Sequence, residues 1–388
     1  MAHTLISFLG RVPKGAGGYR TTRYSFDGIP GESTAFIGWS LRRRLLPDRL
    51  VILGTAGSMW DHLFETDIDL GTAAEDERLA LQEATESKAV TAALLEPLAP
   101  LLTQRLGCEV RLALIPYCRN EIEQLDLLAI MAAQVEAGDR VSLDVTHGFR
   151  HLPMLALLSA MHLRVVRNAH IQGIYYGAYD PDTGAAPVID LSGLLRIADW
   201  ISALNTYDKD GDYGVFAELL GPAGAHLAKA AFFERTSNPV KAREALTSWA
   251  NREDRYPDND PADRLFRHQL EQRVRWFRLP NRPAWEKTLA VEYLDRGDYV
   301  RAAIYGLEAV ISQEAIKRGQ DVGDFDCRDT LRNELKDTRE GFKTLGRLRN
   351  AFAHGVRPFN RDAERAISEP TNLRNTLKSL FNQLLGKF

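Results

Sequence analysis

Five short apolar runs, spaced by helical patterns, constrain the first half of this 388-residue chain more than anything else in it. They are "TLISFLG" (4–10), "LVILGTAG" (50–57), "VRLALIP" (110–116), "RVSLDVTHG" (140–148) and "IQGIYYGAY" (171–179). Continuous apolar runs of this length, β-branched in part and mostly closed by Gly or Pro, suit strands buried on both faces. Between them lie helical patterns at 33–46, 76–106, 120–138 and 152–166. Strand–helix alternation predicts a parallel sheet with helices on both faces, an α/β Rossmann-like domain. "YDPDTGAAPVIDL" (179–191) adds a turn and a further strand able to pair antiparallel.

From about residue 192 the strand signals vanish. Helical periodicity continues to the end, broken by the polar "NREDRYPDNDPADR" (251–264) and by "RLPNRPAW" (278–285). The expected organisation is an α/β domain over 1–195, an intermediate helical region over 196–285 and a helical bundle over 286–388. The opening apolar run is shorter than a signal peptide or a membrane span, so a cytoplasmic protein without a membrane partner is expected. Cys108, Cys118 and Cys327 are scattered and form no ligand set, which argues against disulfides and structural zinc. Acidic residues outnumber basic ones, 52 to 49. A nucleic-acid partner would therefore have to be held at a local cationic patch.

Ligands of open parallel sheets sit beyond the carboxyl ends of the strands. The first such end opens into "GRVPKGAGGYRTTRY" (10–24), with four glycines and four cations. The second opens into "GTAGSMWD" (54–61), and the fourth into "DVTHGFRH" (144–151), which runs straight into a helix. Glycines let backbone N–H groups approach a phosphate, and arginines neutralise it. Read singly, each loop is as well explained as a turn or a helix cap; three together favour a bound anion or nucleotide. Neither GxGxxG nor a Walker A string is present, so the fingerprints of dinucleotide and P-loop nucleotide binding are missing.

"LISFLG…YRTTRY", "VILGTAGSMWD" and "LDVTHGFRHLPM" together resemble the CARF domains of type III CRISPR-associated effectors, over roughly residues 1–195. The resemblance implies a homodimer, able to assemble further, that binds a cyclic oligoadenylate (tetra- or hexa-adenylate) across its two-fold axis. On it, Gly10, Arg11, Thr55, Ser58, Asp144, Thr146, His147, Gly148 and Arg150 would line the ligand site. His151 departs from the small hydroxyl residue expected there. A two-fold dimer suits a ring with its own symmetry, since each protomer presents the same loops.

Near the end of the chain, "RNAFAHG" (349–355) closes a helical pattern with apolar residues at Phe342, Leu345, Leu348 and Phe352. Gly355 and Pro358 stop it. Arg349 and His354 are five residues apart, so on one straight helix they point about 140° away from each other. A site made by two chains is more natural than one made by a single helix. Spacing alone is weak evidence, because Arg164 and His170 make a comparable pair. Downstream of a CARF-like half, however, Arg349, Asn350 and His354 resemble the Arg-x4-His motif of HEPN ribonucleases.

That resemblance implies a single-stranded endoribonuclease that needs neither metal nor cofactor and is activated allosterically by the cyclic oligoadenylate. The 2′-OH of RNA attacks the adjacent phosphate, giving a 2′,3′-cyclic phosphate and a 5′-OH. Histidine can move the protons, and arginine can stabilise charge on the phosphorane. Two alternatives remain at this point: a nucleotide-sensing transcription regulator, and a CARF domain that also degrades its own ligand.

Overall fold

The computed structural model describes residues 1–388 except 16, 66, 67, 69, 149, 150, 257–259, 355–360 and 388; side chains are also left aside at 354 and 361–363. The chain forms two compact units, Met1–Arg196 and Ile197–Phe388.

The first unit is built on a six-stranded sheet. Its strands are β1 (His3–Leu9), β2 (Arg49–Gly54), β3 (Glu109–Leu114), β4 (Arg140–Asp144), β5 (His170–Gly177) and β6 (Val188–Asp190). They lie in the order β6-β5-β4-β1-β2-β3. All neighbours are parallel except β6, which pairs antiparallel with β5. All seven residues of β1 are buried, which explains why its sequence reads as an unbroken apolar run. Alternation still sorts its side chains. Leu5 and Leu9 join the core on one face with Trp39, while Ile6 and Phe8 join the other with Ala156, Ala160 and Leu163. Those partners come from helices α1 (Ile37–Leu45) and α2 (Leu152–Val166). A sheet covered on both faces is the expected Rossmann-like arrangement.

Strand order reverses between β1 and β4. The chain steps outward from β1 through β2 to β3, then returns to β4 on the other side of β1 and steps outward again to β5. Beyond the carboxyl ends of β1 and β4 the two connections diverge and leave a crevice.

Two details differ from the sequence expectation. Residues 14–34 form two small hairpins, Lys14–Gly15 with Gly18–Tyr19 and Thr22–Phe26 with Ile29–Thr34. Asp27 and Gly28, both at positive φ (52° and 79°), make the second turn, as an Asp-Gly pair between strands does. Helix α1 consequently starts at Ile37 rather than 33: Phe36 is extended, and its N–H donates to Thr34 Oγ1. The pattern at 76–106 is three helices, Glu75–Glu86, Ala92–Leu95 and Ala99–Leu106.

Among its described residues the second unit is entirely helical. It includes α3 (Arg282–Arg296), α4 (Tyr299–Lys317), α5 (Phe325–Thr338), α6 (Glu340–His354) and α7 (Pro370–Leu385). Asn281, Asp298 and Asp324 cap α3, α4 and α5, each accepting a backbone N–H three residues on. One continuous core runs from Trp200 to Leu385. Helices preceding residue 285 thus share their core with those that follow it. Tyr293 of α3 donates to Glu234 Oε1 at 2.6 Å, and Tyr305 of α4 donates to the Glu234 carbonyl at 2.5 Å. Glu234 lies on the helix Gly224–Arg235.

Candidate functional sites

The crevice at the strand reversal is a cavity of about 360 Å³. Gly10 and Arg11 from the end of β1, Thr55 and Ser58 from the end of β2, and Thr146, His147 and Gly148 from the end of β4 all line it. Its loops are pressed together backbone to backbone. A Cβ on Gly10 would sit 2.6 Å from the Gly148 amide nitrogen, and Gly148 itself has φ +115°. Only glycine fits either position. Met59 N–H donates to the Gly10 carbonyl at 3.0 Å, joining the second loop to the first. Within the second loop, Thr55 N–H donates to Ser58 Oγ at 2.9 Å, and Trp60 Nε1 donates to the Thr55 carbonyl at 2.8 Å.

Asp144 is wholly buried and does not line the cavity. It accepts from the Ser7 hydroxyl and, at 2.9 Å, from the Thr146 N–H. Thr146 Oγ1 in turn accepts the Gly177 N–H at 2.8 Å. Asp144 therefore braces the loop between β1 and β5, whereas the sequence placed it among the ligand contacts. Burial pushes its carboxyl up to about 6, against the pull of the two hydrogen bonds. His147 goes the other way. Burial, then nearby His62, push it down to about 4, so it is neutral at physiological pH. Tyr24 OH and Ile37 N both lie 3.4 Å from its Nε2.

Since His147 carries no charge, positive potential in the cavity comes, among the described residues, from Arg11 and from Lys88. Arg11 is held by a 3.0 Å hydrogen bond to the Thr85 carbonyl. Lys88 and Tyr117, also in the lining, are residues the sequence reading did not single out. Lys88 follows a helix with no motif around it; Tyr117 stands just past β3, a strand end without the glycine-rich signature used to select the others. Arg150 lies outside the described residues.

In the second unit, Arg349 and Asn350 stand in the last two turns of α6, and 354 is its last residue. Phe342, Leu345, Leu348 and Ala351 bury the inner face of the helix. Arg349 and Asn350 open onto a cavity of about 520 Å³ whose lining holds five basic side chains, Arg332, Lys336, Lys343, Arg347 and Arg349, and one carboxylate, Glu308. The local cationic patch absent from the overall composition is here.

The first unit is thus a Rossmann-like domain with a cavity at the strand-order reversal, lined in part by Thr146, His147 and Gly148. Residues 4–181 match the family described as the CARF domain of the CRISPR system endoribonuclease Csx1. The CRISPR-associated protein MJ1674 of Methanocaldococcus jannaschii is 28% identical over 234 residues, covering 54% of this chain and 36% of that relative. The chain thus spans about a third of that relative's length. Through its first unit the chain is similar to the CARF domain of CRISPR-associated proteins.

Proposed function

We propose that this chain is a ribonuclease of type III CRISPR defence in the cytoplasm, switched on by a cyclic oligoadenylate. The observation that carries the nuclease half is the gathering of four further basic side chains around Arg349 and Asn350 in a chain whose net charge is −3. The ring ligand would sit over the cavity at the ends of β1, β2 and β4. Backbone amides at Gly10 and Gly148 and the cations Arg11 and Lys88 suit its phosphates, and neutral His147 suits hydrogen bonding to sugar or base. Two copies of the chain would present these loops to a ring of matching symmetry.

In the second unit, the 2′-OH of single-stranded RNA attacks the neighbouring phosphorus, and the 5′-oxygen leaves. His354 moves the protons, Arg349 balances the charge that builds on the phosphorane oxygens, and Asn350 orients the phosphate. No metal or cofactor is required by this route. Ligand and activity are coupled by a shift between two states of the dimer, to the extent that the ring binds one of them better.

Cleavage of a labelled single-stranded RNA, assayed with cyclic tetra- and hexa-adenylate side by side, tests the proposal. Activity with one of the rings, insensitive to EDTA and yielding 2′,3′-cyclic phosphate ends, is expected. His354→Ala and Arg349→Ala should each abolish cleavage and leave ring affinity within about twofold, since neither position lies in the first unit. Full cleavage by His354→Ala would remove the site assignment.

A further inference from the structure

The cavity beside Arg349 has features that an Arg–His motif does not need. Its floor is apolar, made by Ile304, Leu307 and Phe342. Its size falls in the range of about 300–1,000 Å³ typical of small-molecule sites. The cations differ in how far they are already committed. Arg332 bonds Glu308 at 3.0 Å. Among the described residues, Lys343 and Arg347 share only the exposed Glu340, at 3.7 and 3.6 Å, and Lys336 has no ion-pair partner. Asn333 also lines the cavity. Its Nδ2 reaches Asp329 at 3.3 Å, which leaves its Oδ1 free to accept.

Gly346 supplies the second observation. It sits in the middle of α6, where glycine costs a helix about 1 kcal/mol relative to alanine. No turn or close packing calls for it: nothing lies within 4 Å of where its Cβ would be. What the missing side chain does is keep the cavity open, since Gly346 is part of the lining.

We propose that this cavity is a nucleotide subsite for the single-stranded RNA substrate. One base lies on the apolar floor over Gly346, the Asn333 amide meets its edge, and Lys336, Lys343 and Arg347 hold the flanking phosphates. An apolar platform with cations around it is how single strands are gripped without pairing, and an amide at the base edge turns grip into preference. This rests on the ribonuclease reading but adds a claim about which residues set substrate affinity and sequence choice.

The decisive variant is Gly346→Leu, which favours the helix and fills the cavity. RNA affinity, measured by anisotropy with a labelled oligoribonucleotide on the full chain carrying His354→Ala, should fall at least tenfold, with no loss of thermal stability. Lys336→Ala should lower the slope of log affinity against log salt by about 0.7, the value for one phosphate contact on a single strand; Lys336→Arg should restore it. Asn333→Ala, otherwise wild type, should broaden the cleavage preference on a randomised RNA pool. If wild type cuts RNA while Gly346→Leu binds and cuts it normally, the subsite is wrong and the nuclease reading stands. Failure of wild type to cut RNA overturns the nuclease reading, and binding by the variants then decides the subsite alone. Should the variants change only the oligomeric mass, a second copy of the chain fills the cavity and the proposal falls.

Discussion

Asp144→Asn separates the shape of the loop brace from its charge. The substitution keeps the side-chain outline. Its amide oxygen can still accept the Thr146 N–H, and its NH2 can donate to Ser7 Oγ, whose hydroxyl rotates to suit. What disappears is ionisation. Burial raises the wild-type carboxyl from 3.8 to about 6, so the folded chain holds this proton more tightly than the unfolded chain does. Asp144 therefore contributes stability that is fully present below the unfolded value, declines as pH rises from about 4 to about 6, and is gone above that. At about 1.4 kcal/mol per pH unit, the gap amounts to about 3 kcal/mol at neutral pH. Subtracting wild type from variant cancels the other carboxylates. Hydrogen exchange of β1 and β4 amides in the full chain reads the stability of the first unit directly. Asp144→Asn should gain on wild type by about 2–3 kcal/mol between pH 4 and pH 7. A difference that does not change with pH would refute the burial argument.

Gly10→Ala forces its Cβ to 2.6 Å from the Gly148 nitrogen, so the first and third loops must part. The ring concentration for half-maximal RNA cleavage should rise at least tenfold while cleavage without ring stays as it was; an unchanged ring response would show that the close approach is not needed for sensing. Tyr293→Phe removes the donor that Glu234 Oε1 accepts at 2.6 Å, leaving a buried carboxyl oxygen short of a partner. Denaturation of the second unit should show a loss of about 1–3 kcal/mol. A loss below about 0.5 kcal/mol would mean that Glu234 finds another donor.

The sheet was legible because its strands are buried on both faces and so declare themselves as apolar runs; β1, with every residue buried, is the clearest case. The hairpin at Asp27-Gly28 was equally available from its turn residues. Residue types marked the strand-end loops as a group, and the resemblance to CARF domains implied Gly10, Arg11, Thr55, Ser58, Thr146, His147 and Gly148 within them, all in the cavity lining. They did not reveal that Asp144 turns inward, because an aspartate at the end of a parallel strand is as good a brace as a ligand. Lys88 and Tyr117 reach the cavity from segments distant in sequence, and no local pattern marks them. Nor could the sequence show that residues before 285 are welded to the later helices. That follows from Glu234 meeting tyrosines 59 and 71 positions away.

The position of the motif on α6 limits what a single helix can supply. Lys343, Arg347, Asn350 and position 354 are spaced by four, three and four residues, which places them in one stripe along the helix. Arg349 lies off that stripe, about 140° from position 354. An RNA strand gripped along the stripe would therefore arrive at position 354 with Asn350 beside it, while the Arg349 of the same helix, though it shares the cavity lining, points about 140° away from position 354. The charge that the phosphorane needs has to come from another direction, and a second copy of the helix is the element that carries a matching arginine. Affinity for RNA would then belong to one chain and cleavage to two. On dilution through the range in which such a dimer would dissociate, RNA bound per chain should hold steady while the cleavage rate per chain collapses. Should cleavage per chain persist in the monomer, Arg349 must reach round its own helix, and the reasoning from the 140° offset fails.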